Sequence, residues 1–242
     1  MNKLYVVGIG PGEFDQLTKK AVDVLVESAV IVGYNVYIDL IKEHFGEKKF
    51  LSTPMKQEKE RCILAFEEAK QGKITAIICS GDSGIYGMSG LILELGGDYP
   101  EVKVEIIPGI TAASSGAAVL GAPLMHDFAI ISLSDLLTPW EKIEKRIKLA
   151  AEGDFVLCIY NPSSIKRKDY LSKACSYVLE HRSPDTVCGI AKNIGREGQV
   201  MEVLSLSELA HKEVDMFTTV YIGNSSTKRV GNYMVTPRGY QL

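Results

Sequence analysis

The sequence predicts an α/β fold in two parts, a mostly parallel sheet over residues 1–121 and a mixed sheet over residues 122–242. Three observations lead there. In the first half, short apolar runs alternate with amphipathic stretches, the pattern of strands joined by helices in a parallel sheet. Three of those runs end in glycine-rich or Pro-Gly turns, at residues 8–12, 80–87 and 108–112. Past Gly121-Ala122-Pro123 the texture changes, and Gly195-Arg196-Glu197-Gly198 lies between two strand-like runs, which is a hairpin signal and points to antiparallel pairing.

Leu4–Ile9 reads as the first strand, stopping at Gly8-Ile9-Gly10-Pro11-Gly12. A helix follows, with Leu17, Ala21, Val24, Leu25 and Ser28 on one face at helical spacing. Ala29–Val32 is a short strand ending at Gly33. Glu58–Gln71 is a helix with Cys62, Ala65, Phe66 and Ala69 inward, closed by Gly72. Ile74–Cys79 reads as a strand buried on both faces, running into Ser80-Gly81-Asp82-Ser83-Gly84-Ile85-Tyr86-Gly87-Met88 and a helix to about Leu95. Val102–Ile107 is a strand broken by Pro108-Gly109, after which Ile110-Thr111-Ala112 opens a small-residue helix. In the second half, Phe128–Leu133 and Phe155–Tyr160 are strands separated by a charged helix, Trp140–Glu152. A helix over Lys166–Glu180 and strands at Thr186–Asn193, Gln199–Leu204 and Phe217–Gly223 complete the chain. No internal repeat or low-complexity tract interrupts it.

Apolar residues make up 46% and charged residues 24%, an ordinary balance for a globular protein with a real core. The net charge of -3 supplies no basic field for nucleic acid. The longest apolar runs fall far short of the roughly 20 residues a membrane helix needs. Met-Asn-Lys passes straight into a strand without the form of a signal peptide, so a cytoplasmic protein is expected. The five cysteines are scattered, form no C-x-x-C and sit partly in apolar runs, which predicts reduced, mostly buried thiols and no metal site.

In open α/β sheets ligands bind at the carboxyl ends of the strands, so three such turns can converge on one crevice. The first turn departs from a dinucleotide fingerprint. Glu13 stands where the third glycine belongs, and Pro11 has no N–H to offer a phosphate. A phosphate cradle needs donors and the positive end of a helix, whereas this turn is followed by Glu13 and Asp15. The loop therefore suits a ligand without phosphates, or is an ordinary tight turn. Asp82 either faces a ligand hydroxyl or cation, or ends a turn as an Asx or N-cap acid. Tyr86 either offers a face to a flat group or belongs to the core. Thr111 caps the following helix and can also touch a ligand.

The second half carries a polar cluster, Ser132-Leu133-Ser134-Asp135-Leu136-Leu137-Thr138-Pro139-Trp140. Thr138 as N-cap and Pro139 at the first helical position account for themselves by helix initiation. Ser132, Ser134 and Asp135 do not, which makes them site candidates. His126 is either a structural hydrogen-bonder or a catalytic group. Tyr160-Asn161-Pro162 and Lys192-Asn193-Ile194-Gly195-Arg196 end strands, where asparagine caps or contacts ligand. Walker A, H-E-x-x-H and G-x-S-x-G sequences are absent, which points to catalysis by positioning with a cofactor carrying the hard chemistry.

Taken in order, G-I-G-P-G, G-D-S-G-I-Y-G-M, P-G-I-T-A, Y-N-P and A-K-N-I-G-R-E-G-Q resemble the tetrapyrrole methylase superfamily, the class III S-adenosylmethionine-dependent methyltransferases, over nearly the whole chain. Ser132–Trp140 and Asn161–Arg167 are similar to the members that methylate C-17 of precorrin-3B or cobalt-factor III and contract the macrocycle in cobalamin biosynthesis. The resemblance implies two α/β domains with the active site in the cleft between them, a homodimer, a tetrapyrrole substrate, and S-adenosylmethionine as cofactor with S-adenosylhomocysteine as product. It places cofactor contacts at Pro11, Ser80, Gly81, Asp82, Ile85, Thr111, Ala112, Asn161, Asn193 and Ile194. One departure is Ser83, where many relatives have proline, a change expected to alter loop stiffness.

For the implied reaction, methyl transfer needs alignment and a dry site, while ring contraction benefits from a general base. Asp135 is the expected base, with Ser132, Ser134 and His126 behind it. Lys166, Arg167, Lys192 and Arg196 are expected to meet the substrate's carboxylates. A methylase acting at another macrocycle carbon is the nearest alternative. A dinucleotide-dependent oxidoreductase is the rival outside methyl transfer, and Pro11, Glu13 and the apolar Val30–Gly33 stretch stand against it.

Overall fold

The computed structural model describes residues 2–164 and 167–241. Its chain divides into two units, Met1–Ala112 and Ala113–Leu242.

The first unit contains β1 (Lys3–Gly8), α1 (Lys19–Glu27), β2 (Val30–Tyr34), α2 (Asn35–Asp39), β3 (Lys49–Thr53), α3 (Glu58–Lys70), β4 (Thr75–Cys79), α4 (Ser89–Leu95) and β5 (Lys103–Ile107). The five strands form one wholly parallel sheet in the order β3-β2-β4-β1-β5. Strand alternation explains its unbroken apolar runs. Leu4, Val6, Val32 and Ile77 face Cys62, Phe66 and Ile92 of α3 and α4, while Tyr5, Val7, Ile31 and Ile78 face Ala21, Val24 and Leu25 of α1. Because β1 leads to β2 in one direction and β4 leads to β5 in the other, the strand order switches between β1 and β4. Their carboxyl ends are where such sheets open a crevice.

The second unit contains α5 (Ala112–Leu120), β6 (Gly121–Ala122), β7 (Phe128–Ser132), α6 (Trp140–Glu152), β8 (Val156–Tyr160), α7 (Tyr170–Leu179), β9 (Val187–Lys192), β10 (Val200–Ser205), α8 (Leu206–Leu209), β11 (Thr218–Ile222), β12 (Lys228–Val230) and β13 (Tyr233–Val235). Its main sheet runs β10-β9-β11-β8-β7, with β7 and β8 parallel and the other pairs antiparallel. A small sheet, β12-β13-β6, closes the chain. One face of the main sheet packs Leu157, Ile159, Ile190 and Val220 against Ile143 and Ile147 of α6 and Leu171 and Val178 of α7. The other face takes α5. A Cβ at Gly116 would fall 2.4 Å from the Tyr221 hydroxyl oxygen, and one at Gly189 would fall 2.8 Å from Leu120. The Tyr221 hydroxyl donates to the Ala113 carbonyl at 2.9 Å, and the Tyr160 hydroxyl accepts from the Ala113 N–H at 2.6 Å. These contacts are why the division falls at Ala112, ahead of the Gly121 position expected from sequence texture.

The sequence reading of the helices and strands matches closely at α3, β4, α6 and β8, and differs elsewhere for identifiable reasons. Residues 35–39 and 49–53 form α2 and the edge strand β3, both too short to show a period. Gly33 does not end β2 but lies within it, where a Cβ would sit 2.6 Å from Ile78 Cγ1. Thr138 is not an N-cap and Pro139 is not a first helical residue. Pro139, at ψ 142°, is itself the N-cap residue and Trp140 begins α6. The helix expected from Lys166 begins at Tyr170, and Lys166 lies outside the described residues.

All five cysteines are free and buried. Burial pushes the Cys62 and Cys79 thiols up to about 12 and about 11, away from thiolate chemistry at neutral pH. Among the described residues no three His, Cys, Asp or Glu side chains are placed to hold a metal ion, and no helix is long and apolar enough to cross a membrane.

Polar ties also brace the edges. Arg182 reaches the carbonyls of Gly223 and Phe155, joining the ends of β11 and β8. Glu68, nearly buried on α3, accepts from Lys49 of β3 and from Lys73, each at 2.6 Å. Those two ammonium groups hold its carboxyl below the ordinary value of 4.5, against the opposing effect of burial. A depressed carboxyl stabilises the fold above its unfolded-chain value, and that contribution disappears as pH falls through the folded value. Urea titrations of wild type and Glu68→Gln at pH 7 and below pH 4 are expected to differ most at pH 7 and to converge in acid. Curves separated by the same amount at both pH values would exclude this role.

Candidate functional site

In the first unit the three turns meet through their backbones. Gly10 and Gly81 form a two-way bridge, N–H to carbonyl at 3.1 and 2.7 Å. A Cβ on Gly8 would lie 2.7 Å from both the Gly109 nitrogen and the Gly81 oxygen, and one on Gly109 would lie 2.2 Å from the Gly81 oxygen. Only glycine permits this approach. Gly10 and Gly81 also adopt φ +71° and +69°, which favours glycine again.

Asp82 locks the junction. Its Oδ1 accepts from the Gly84 N–H at 2.8 Å, an Asx turn, and its Oδ2 accepts from the Gly109 N–H at 2.9 Å. One carboxylate thus joins the second turn to the third. Ser83 adds a second tie, its buried hydroxyl donating to the Ile107 carbonyl at 3.1 Å. Proline at that position could not make this bond, so the serine compensates for the stiffness proline would supply. Pro11 is buried, Ser80, Ile85, Thr111 and Ala112 are partly buried, and Tyr86 is not core but 59% exposed. These three turns carry Asp82 and no lysine or arginine, and Glu13 and Asp15 follow the first of them. Their charge opposes a phosphate group and favours a cationic ligand.

In the second unit a polar cluster forms where β7 and β8 end and α7 begins. Ser132 Oγ accepts from Asn161 Nδ2 at 2.8 Å and from the Ser134 N–H at 3.1 Å. Arg167 Nε pairs with Asp135 Oδ1 at 2.9 Å, and its Nη1 donates to Ser134 Oγ at 3.2 Å. The Tyr170 hydroxyl donates to Asp135 Oδ2 at 2.6 Å, and this bond raises the Tyr170 pKa. Trp140 lies against the Tyr170 ring, 4.3 Å between centroids, and donates to the Tyr177 hydroxyl at 3.1 Å. The loop between β7 and α6 leaves Leu136 and Leu137 exposed, Leu137 at 98%.

Strands β7, β8 and β9 run the same way, so Ser132, Asn161 and Asn193 share one end of the sheet. Asn161 and Asn193 have φ +52° and +50°, a conformation asparagine tolerates better than most residues. Asn193 donates to the Gly198 carbonyl at 3.3 Å inside the β9–β10 hairpin.

Further residues expected at the site lie as follows. His126 precedes β7, so roughly 13 Å of strand separates it from the Ser132 end. It accepts its neighbour's N–H and joins neither Ser132 nor Asp135. Ile194 is a core residue, packed where a Gly116 side chain would otherwise sit. Arg167 and Lys192 each pair with a carboxylate of the chain itself. The first pairs with Asp135, and the second with Asp215 at 2.7 Å. Arg196 stands over the Phe217 ring at 5.8 Å. Tyr170 escaped sequence reasoning because only the tertiary fold brings it to Asp135.

A profile of the family described as Tetrapyrrole (Corrin/Porphyrin) Methylases matches residues 3–210. The chain belongs to the tetrapyrrole methylases. It is accordingly a methyltransferase. A Salmonella typhimurium protein named probable cobalt-factor III C(17)-methyltransferase is 45% identical to this methylase over 240 residues, covering 99% of the chain and 100% of that protein. A Priestia megaterium protein named cobalt-factor III methyltransferase is also 45% identical over 244 residues, but the chain spans only 45% of its length. The crystal structure of the methyltransferase CobJ superposes with a TM-score of 0.89 at 35% identity, covering 97% of the chain and 99% of that structure.

The junction of this methylase's turns has a direct test. Gly109→Ala forces a methyl group into the Gly81 carbonyl and the Gly8 backbone, neither of which can move aside. It is expected to destabilise the protein by about 3 kcal/mol or more, read as a lower midpoint in chemical denaturation. Gly90→Ala, on α4 with open space around the added methyl group, is the control and should leave the midpoint unchanged or raise it.

Proposed function

We propose that this methylase transfers a methyl group from S-adenosylmethionine to C-17 of a cobalt-factor III or precorrin-3B type macrocycle, with contraction of the ring, in cobalamin biosynthesis. The observation that carries the reading is the 45% identity with the Salmonella protein over 99% of this chain and 100% of that one. The cofactor fits the first unit's turns on two counts. They contain Asp82 and no bases, with Glu13 and Asp15 just after the first, and Pro11 withholds an N–H. A nucleoside bearing a sulfonium and no phosphate is the ligand such a junction suits.

Pro11, Ser80, Gly81, Asp82, Ile85, Thr111 and Ala112 would hold it. Bound there, S-adenosylmethionine supplies an electrophilic methyl group. The turns' part is orientation. Backbone packed to glycine tolerances cannot shift when ligand arrives, so little reorganisation is needed at the reacting carbon. The macrocycle is itself electron-rich and needs no activated side-chain nucleophile. As a methyltransferase of this type the chain acts as a homodimer in the proposed reading.

Ring contraction makes a different demand, removal of a proton from a substrate oxygen. Asp135 is the proposed base. Arg167 and Tyr170 hold one lone pair on each of its oxygens, which fixes the carboxylate in place, and a carboxylate retains further acceptor sites beyond those two. Ser132 and Asn161 hold the adjoining strand ends together.

Incubation with labelled S-adenosylmethionine and cobalt-factor III, with product read by mass and absorbance, tests the assignment. Methylated, ring-contracted product is expected, and no incorporation of label would reject it. Asp135→Asn is expected to slow contraction by roughly 100-fold or more while S-adenosylhomocysteine affinity, measured by calorimetry, stays unchanged. An undiminished rate would remove Asp135 from the mechanism.

A further inference from the structure

Among the described residues, five other than glycine have positive φ: Lys56, Tyr86, Asp154, Asn161 and Asn193. Tyr86 is the aromatic one, at φ +55°. A bulky side chain in this region is strained, and such strain persists only where the surroundings impose it. The surroundings here do impose it. Asp82 and Ser83 anchor the start of the turn to Gly84, Gly109 and Ile107. Met88 donates its N–H to the Cys79 sulfur at 3.4 Å and anchors the end. Between them, a Cβ at Gly87 would lie 2.4 Å from the Ser83 carbonyl oxygen, so the chain has no slack.

Glycine would occupy position 86 without strain, yet the residue present is a tyrosine, 59% exposed. Burial therefore does not compensate for the strain. Gly84, Tyr86 and Gly87 are the exposed residues of the turn. Gly81 and Ser83 lie on the packed side. A purine calls for an enclosed slot, whereas a broad conjugated macrocycle suits an open platform.

Resting on the proposed function, we propose that Tyr86 is a substrate-contact residue: the strained turn presents its ring as a platform for the tetrapyrrole macrocycle, and the residue sets macrocycle affinity rather than cofactor affinity.

Three variants of the full chain test this, Tyr86→Gly, Tyr86→Phe and Tyr86→Leu. Tyr86→Gly removes the strain, so its thermal midpoint is expected to equal or exceed wild type. Its KM for cobalt-factor III is expected to rise about tenfold, with a smaller change in kcat and with the Kd for S-adenosylhomocysteine unchanged by calorimetry. Tyr86→Phe keeps the ring and should restore KM close to wild type, while Tyr86→Leu should not. An unchanged KM in Tyr86→Gly overturns the inference, as does a KM loss that tracks weaker S-adenosylhomocysteine binding or a lowered midpoint. A wild-type chain that methylates no tetrapyrrole overturns the inference and the proposed function together. Methylation by wild type with an intact Tyr86→Gly variant overturns the inference alone.

Discussion

The close approach of Gly8, Gly81 and Gly109 is the constraint on which the rest of the first unit depends. Three backbone segments converge at distances no side chain permits. The sheet order makes this possible, because β1, β4 and β5 are adjacent and parallel and their carboxyl ends coincide. Asp82 then converts proximity into rigidity, one oxygen for its own turn and one for the next. The carboxylate that closes an Asx turn also ties the second turn to the third.

The second unit reaches a comparable rigidity by different means. Its sheet end is held by side chains rather than by bare backbone, with Asn161 on Ser132, Arg167 on Ser134 and Asp135, and Tyr170 on Asp135. Charges inside the cluster are compensated, so the arginine that looked available to a substrate carboxylate is already paired. A cluster built this way specifies orientation, and its charged bonds are worth more than neutral ones at the same distances. The two units thus differ in chemistry, one shaped by glycine and acid, the other by an oriented carboxylate.

Much of this was legible in the chain. The turns at residues 8–12, 80–87 and 108–112 announced themselves, since a left-handed φ or a missing Cβ is a local demand that only glycine meets. Buried strands such as Thr75–Cys79 and the charged helix Trp140–Glu152 were equally plain, because burial on two faces and burial on one leave different periods. Short or edge elements were not. Lys49–Thr53 is a strand because β2 lies beside it, and its own residues carry no alternation strong enough to say so.

The sequence by itself determined where glycine-rich turns end the strands and which runs must be buried. Each of these follows from the covalent character of one residue or its near neighbours. Tertiary structure alone decided that α5 packs with the second unit, that His126 stands apart from Ser132, that Ile194 is core and that Tyr170 and Arg167 grip Asp135. Those are encounters between residues remote along the chain, set by strand order and direction, and no local spacing encodes them.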